Sequence, residues 1–417
     1  MRPLAAVVLA ASALSLCACD SVRQSALPEK PVWVNRASWA MSVVSRRSLT
    51  TEANKIGEDW EKGQPAIDAR HNRIFVGSAD RGLYALRAED LSTLWRFQTL
   101  GVVQCEPLYD PVENVVYFGS NDGALYKVNA ADGELLWRFA TSSEVSRRPV
   151  LDPESGALYA VNANDTVVAV DAGTGQMRWS QHRTPAYGME IAGYAGPTLW
   201  GGRVYTAFSD GRVFAFDTAT GKERWSVDLA VEAEAASGEA AKYLDVDTTP
   251  IVARTEAGMT VFVASYAGGV FALDADTGSR VWANEKVRGV TELTMWDEPA
   301  HAPVGGGPAV PRRRMLLAAS GTTGLWAVDV EGGRDLWRRA LPEGGVSQPV
   351  AIAGAVMVST TRYGLFLFSP IDGSVIDGIA SDTGFAMTPG AFGRRAFAMS
   401  NTGVLLGIHV DGPSRRR

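Results

Sequence analysis

"PVLDPESGALYAVNANDTVVAVDAGTGQMRWSQ" (149–181) decides the fold. A proline opens a short apolar run, and an Asp/Pro/Gly-rich turn leads to a second run, Ala157 to Asn162. A further turn leads to a third run, and an Asp-x-x-x-Gly turn leads to a last short run containing Trp179. Short β-rich runs separated by turn residues every several positions read as antiparallel strands, four in this unit. The same pattern recurs upstream in "PLYDPVENVVYFGSNDGALYKVNAADGELLWRF" (107–139) and downstream in "PTLWGGRVYTAFSDGRVFAFDTATGKERWSV" (197–227). Self-similarity at a period of 20–50 residues signals a repeat architecture.

Extended outward, opening prolines stand at 65, 107, 149, 197, 250, 349 and 389, and the gap from 250 to 349 holds two units. Trp95, Trp137, Trp179, Trp225, Trp282 and Trp337 close successive units, with Ile376 in the seventh place. An eighth unit, 388–410, supplies three strands, and the segment 31–44 has the strand character to supply the fourth. The expectation is all-β: an eight-bladed β-propeller of four-stranded antiparallel blades, its ring closed by the N-terminal strand. A linear solenoid would leave the terminal half-unit with an open edge, which is an aggregation liability. The tryptophans are expected to dock one blade on the next, since each buries roughly 150–250 Å².

Composition limits function. The chain has 417 residues, 46% hydrophobic and 21% charged, enough for a sizeable core. Its 40 Lys+Arg against 46 Asp+Glu give −6, which speaks against a binder tracking nucleic-acid phosphates. Residues 1–18 read as a secretory signal, one arginine and then an apolar run from Leu4 to Leu16 too short for a stable membrane span. Two chemistries suit the small residues that follow: a plain cleaved signal or, as the resemblance of this stretch to a bacterial lipobox implies, acylation of Cys19. Cys105 would then be the mature chain's lone thiol, so packing and not a disulfide must hold the fold.

Leu16-Cys17-Ala18-Cys19 resembles a bacterial lipobox, which implies lipidation at Cys19 and a tether over 19–30. Asp20 follows, a residue that in some bacteria favours inner-membrane retention. The propeller spans 31–410, and 411–417 form a basic tail. The repeat itself resembles the pyrroloquinoline-quinone-type propeller repeat, which serves both dehydrogenases and non-enzymatic proteins. Leu244-Asp245-Val246-Asp247-Thr248-Thr249-Pro250 is more specific. It resembles the Asp-Val-Asp-Thr-Thr-Pro stretch of the BamB family, lipoproteins of the outer-membrane β-barrel assembly machinery.

That resemblance implies a non-enzymatic scaffold on the periplasmic face of the outer membrane. It implies docking on the periplasmic domains of the BamA-type barrel subunit and help to unfolded outer-membrane proteins, with no cofactor and no metal. Asp245 and Asp247 match the family's docking acids. Met189 and Ile191 match the apolar positions of its Leu-x-Leu-Arg-Gly stretch, whose arginine is here Ala192. From the residues alone, turn chemistry, with Asp247 capping the turn before Pro250, and a metal site stand behind docking as alternatives for the acid pair. The competing function is a quinone-dependent periplasmic dehydrogenase. Four histidines without zinc spacing and no Gly-x-Ser-x-Gly elbow leave hydrolase chemistry unsupported. Two atypical segments, 231–243 and 288–315, read as a loop or short helix and as a long loop.

Overall fold

The computed structural model describes residues 40–49, 60–185, 194–229, 231, 246–300, 309, 311–341 and 344–411. These residues form eight separate four-stranded antiparallel sheets, seven of them in simple sequence order. The second blade shows why. Its inner strand is Leu108–Asp110, its two middle strands Val115–Ser120 and Ala124–Asn129, and its outer strand Leu135–Ala140. The middle strands are buried almost throughout, whereas in the outer strand only Trp137 is buried. Both faces of each sheet are covered by neighbouring sheets. The middle strands are therefore continuous Val/Phe/Tyr/Ala runs and not alternating ones.

The eighth blade has the order Met41–Ser48, Val404–Val410, Arg395–Met399, Gly390–Phe392. The N-terminal strand thus closes the ring, pairing Met41 with Val410 and Ser48 with Val404 across one bulge between Val43 and Ser45. It lies further along the chain than the 31–44 stretch read from sequence, and 31–39 fall outside the described residues. A second difference is the sixth blade. Val290–Glu298, expected within a long loop, is its nine-residue inner strand, pairing with Arg313–Ser320. Leu293 stands where other units have proline, and this hid the strand.

One latch joins consecutive blades. The indole N–H of each closing tryptophan donates to a main-chain carbonyl of the next blade: Trp95 to Ala130, Trp137 to Ala172, Trp179 to Thr218, Trp225 to Ala275, Trp282 to Val330 and Trp337 to Pro370, at 2.8–3.1 Å. Each indole also lies on the glycine of the next blade's turn, Asp-x-x-x-Gly in four cases, with Asn129 and Ser369 in the Asp position of the other two. At Gly175 φ is +72°, and a Cβ there would stand 2.7 Å from the Trp137 ring. Glycine is needed twice over, for the left-handed backbone and for the contact.

The ring's two seams lack this latch. Between blades seven and eight, Asp377 accepts the N–H groups of Ala40 and Met41 at 2.7 and 2.8 Å. Between blades eight and one, the turn position held elsewhere by glycine is Leu91, with φ +61°. Blade eight offers no tryptophan there. The fully buried Leu91 side chain instead joins Leu49, Phe397, Met399 and Leu405, and its carbonyl accepts from Arg47 at 3.0 Å.

Candidate functional site

Strand order puts the entry loops, which run from each outer strand to the next inner strand, on one face of the ring. They deliver each blade's innermost residues to the axis. The residue before each opening proline faces inward: a funnel of about 1120 Å³ is lined by Gln64, Glu106, Arg148, Thr249, Glu292, Gln348 and Thr388. Proline suits this place because the first residue of an edge strand needs no ladder N–H. The fourth blade's equivalent is the buried Gly196, which adds no side chain.

Charge on this axis is paired. Arg148 lies 3.3 Å from Glu106. Burial pushes the Glu106 carboxyl above its ordinary range, Arg148 opposes, and the charge of Glu292 adds to the rise. Arg147 makes the largest connection. From blade three its Nε donates to Tyr194 O at 2.6 Å, its Nη1 to Glu292 Oε1 at 2.8 Å and its Nη2 to Asp247 O at 3.1 Å. Burial favours losing the proton, but the Glu292 carboxylate, then Asp247 and Tyr194, more than offset it and hold the guanidinium charged.

The Asp247-Thr248-Thr249-Pro250 segment is woven into the same region. Thr248 Oγ1 donates to Ala264 O at 3.1 Å and accepts from Ala264 N at 2.8 Å, fastening the entry to its own second strand. Thr249 Oγ1 accepts the Gly196 N–H at 2.9 Å. Pro250 O accepts from Thr198 Oγ1 at 2.6 Å. The segment thereby ties blade five to blade four.

Asp247 is 4% exposed. Burying a charge is costly unless it is compensated, and Arg147 of the same chain interacts electrostatically with Asp247. Asp245, Met189, Ile191 and Cys19 lie outside the described residues. Trp95, Trp137, Trp179, Trp225, Trp282 and Trp337 sit at the blade interfaces, away from the axis. Sequence reasoning missed Glu106, Arg147, Tyr194 and Glu292. The available signal was positional, since the residues just before each opening proline reach the axis, and Glu292 lacked even that marker.

A quinone with a divalent cation fits this axis poorly. The Glu292 oxygen is bonded to Arg147, and Glu106 faces Arg148, so neither is a free anionic ligand. Among the described residues no three His, Cys, Asp or Glu side chains gather as a metal set. The Ser120–Gly123 and 162–165 stretches, superficially like calcium loops, are hairpin turns. Cys105 is buried, and that burial pushes its thiol up to about 12. No helix among the described residues is long and apolar enough to cross a membrane.

The chain matches the family model of the outer membrane protein assembly factor BamB over residues 106–298 and 291–377, well over half its length. It is 23% identical over 239 residues to the BamB of Legionella pneumophila, covering 56% of this chain and 54% of that protein. The chain spans about half the length, or less, of the curated relatives it matches. The crystal structure of BamB from Moraxella catarrhalis superposes with a TM-score of 0.67 at 18% identity, covering 91% of this chain and 100% of that one. A quinohemoprotein alcohol dehydrogenase from Pseudomonas putida superposes at 0.63 and 14% identity, over 94% of this chain and 80% of its own. At these identities the structural likeness is one of fold.

Proposed function

Because the chain belongs to the family of the outer membrane protein assembly factor BamB, we propose that it is a non-enzymatic scaffold lipoprotein of that machinery. In this reading Cys19 carries the lipid, the propeller faces the periplasm from the outer membrane, and the entry-loop face docks on the periplasmic domains of a BamA-type barrel subunit. Asp245 meets cationic groups of the partner, and Met189 and Ile191 supply apolar contact. Asp247 acts from inside, beside Arg147. Unfolded outer-membrane proteins are held as extended strands along the exposed blade edges, where main-chain groups are open to β-augmentation.

The observation that supports docking is the joining of two entry loops. The loops entering blades four and five carry the family's docking positions, and their described ends, from Tyr194 and from Val246 onward, are tied to Arg147 and to each other. The observation against the dehydrogenase reading is the axis, where Glu292 and Glu106 are paired with Arg147 and Arg148.

Capture of the purified periplasmic domains of the barrel subunit tests this reading. Asp245→Ala and Met189→Glu should each weaken capture by at least about tenfold, which needs only ~1.4 kcal/mol. Their melting temperatures should match wild type. Wild-type affinity in both variants would refute docking through these loops.

A further inference from the structure

Resting on that docking reading, we infer that Arg147 is a positioning residue for the partner face: its guanidinium fixes the return ends of the two docking loops against one another. The repeat makes Arg147 an outlier. The residue two before the opening position is Gly63, Cys105, Ala195, Thr248, Thr291, Ser347 or Met387 in the other units, short in all but one. Blade three alone places a long cation there.

Gly196, beside it, lets blades four and five approach closely. A Cβ at that residue would come 2.9 Å from Thr249 Oγ1 and 3.5 Å from the Arg147 Cβ. From blade three the guanidinium reaches blades four, five and six. The three groups it reaches belong to three different blades: Tyr194 O, Asp247 O and Glu292 Oε1. A planar fork with five N–H donors can serve three acceptors in fixed directions, which an ammonium on a flexible stem does not do.

The grip on Tyr194 is doubled from the same entry loop. Its hydroxyl accepts from Ser146 N at 2.6 Å and donates to Glu144 O at 3.1 Å, while its carbonyl is held by Arg147. Gly196 N–H then bonds to Thr249 Oγ1. Tyr194–Gly196 and 246–249 are consequently one hydrogen-bonded unit with Arg147 at its centre. Residues 189, 191 and 245 lie within a few positions of it in the chain.

The test compares Arg147→Met/Glu292→Gln, which leaves no Glu292 carboxylate without its arginine, with Arg147→Lys and with Met189→Glu as the docking control. Amide exchange at 194–196 and 246–249 should rise at least about tenfold in the double variant, while amides of blades one, seven and eight stay as protected as in wild type. Capture of the barrel subunit's periplasmic domains should weaken at least about tenfold. Arg147→Lys keeps a charge for Glu292 but not the fork, so it should restore thermal stability and not capture. A merely structural role would have lysine restore both, and that result overturns the inference. So does exchange that rises equally in all blades or nowhere. Capture lost in Met189→Glu but kept in the double variant overturns this inference alone. Capture kept in Met189→Glu overturns the docking reading and this inference with it.

Discussion

Gly221 and Gly354 have nearly the same backbone, φ +68° and +79°, yet only one of them touches a tryptophan. A Cβ at Gly221 would lie 2.6 Å from both Cδ2 and Cε3 of Trp179, whereas at Gly354 it would meet nothing within 4 Å. Alanine at either site takes on the left-handed penalty of about 1–2 kcal/mol. At Gly221 the indole must also retreat by most of an ångström. A gap of that size forfeits roughly a quarter to a half of its dispersion contacts on that side. The 2.8 Å bond from Trp179 Nε1 to Thr218 O is strained as well, and a lost hydrogen bond costs ~1 kcal/mol net. Gly221→Ala should therefore destabilise by about 3–4 kcal/mol and Gly354→Ala by about 1–2 kcal/mol. Urea-unfolding midpoints of the two variants measure the gap. In a Trp179→Ala background the excess should vanish, leaving only the backbone penalty. Equal losses at the two glycines, or an excess surviving without the indole, would show that the tryptophans do not latch the blades.

At the seam between blades eight and one, Leu91→Gly removes a non-glycine residue from φ +61° but empties a fully buried site. The cavity cost of about 2–5 kcal/mol exceeds the backbone gain, so the variant should melt below wild type, and a stabilised variant would refute the seam-filling role. Asp68 gives an acid-limb test. Burial would raise its pKa, but the Arg73 side chain, then His71, lower it below the ordinary 3.8. A carboxylate depressed in the folded state contributes stability fully above the unfolded pKa and loses it as pH falls through the folded one. The stability gap between wild type and Asp68→Asn should hold steady from neutral pH to about pH 5 and shrink below about pH 4. A gap constant down to pH 3 would deny the Arg73 pairing that role.

Repeat number and ring closure were legible because they rest on chemistry that each unit repeats. The proline, the Asp-x-x-x-Gly turn and the tryptophan each answer a local steric demand, and a local demand leaves a local mark. Where a mark was missing, the reading slipped. Leu293 in place of proline hid the inner strand Val290–Glu298. The closing strand Met41–Ser48 sits later than its reading because MSVVSRRS, solvent-facing for most of its length, has little apolar pattern to fix its ends. Leu91 and Asp377 could not be foreseen as seam residues, since their roles follow from what the neighbouring blade lacks.

The site was harder to read for a related reason. Sequence places Asp245 and Asp247 side by side and suggests one task for both. Asp247 lies 4% exposed within the ring's internal ties, which the sequence does not mark. Thr248, Thr249 and Pro250 each have a partner inside the propeller, so this part of a recognisable motif is explained by blade-to-blade fastening before any partner is considered. Arg147 was invisible for the opposite reason. Its acceptors lie 47, 100 and 145 positions away in the chain, and no local pattern marks a side chain whose chemistry is completed across three blades. A motif read from sequence thus includes residues whose task is internal: Thr248, Thr249 and Pro250 fasten one blade's entry to the closed ring.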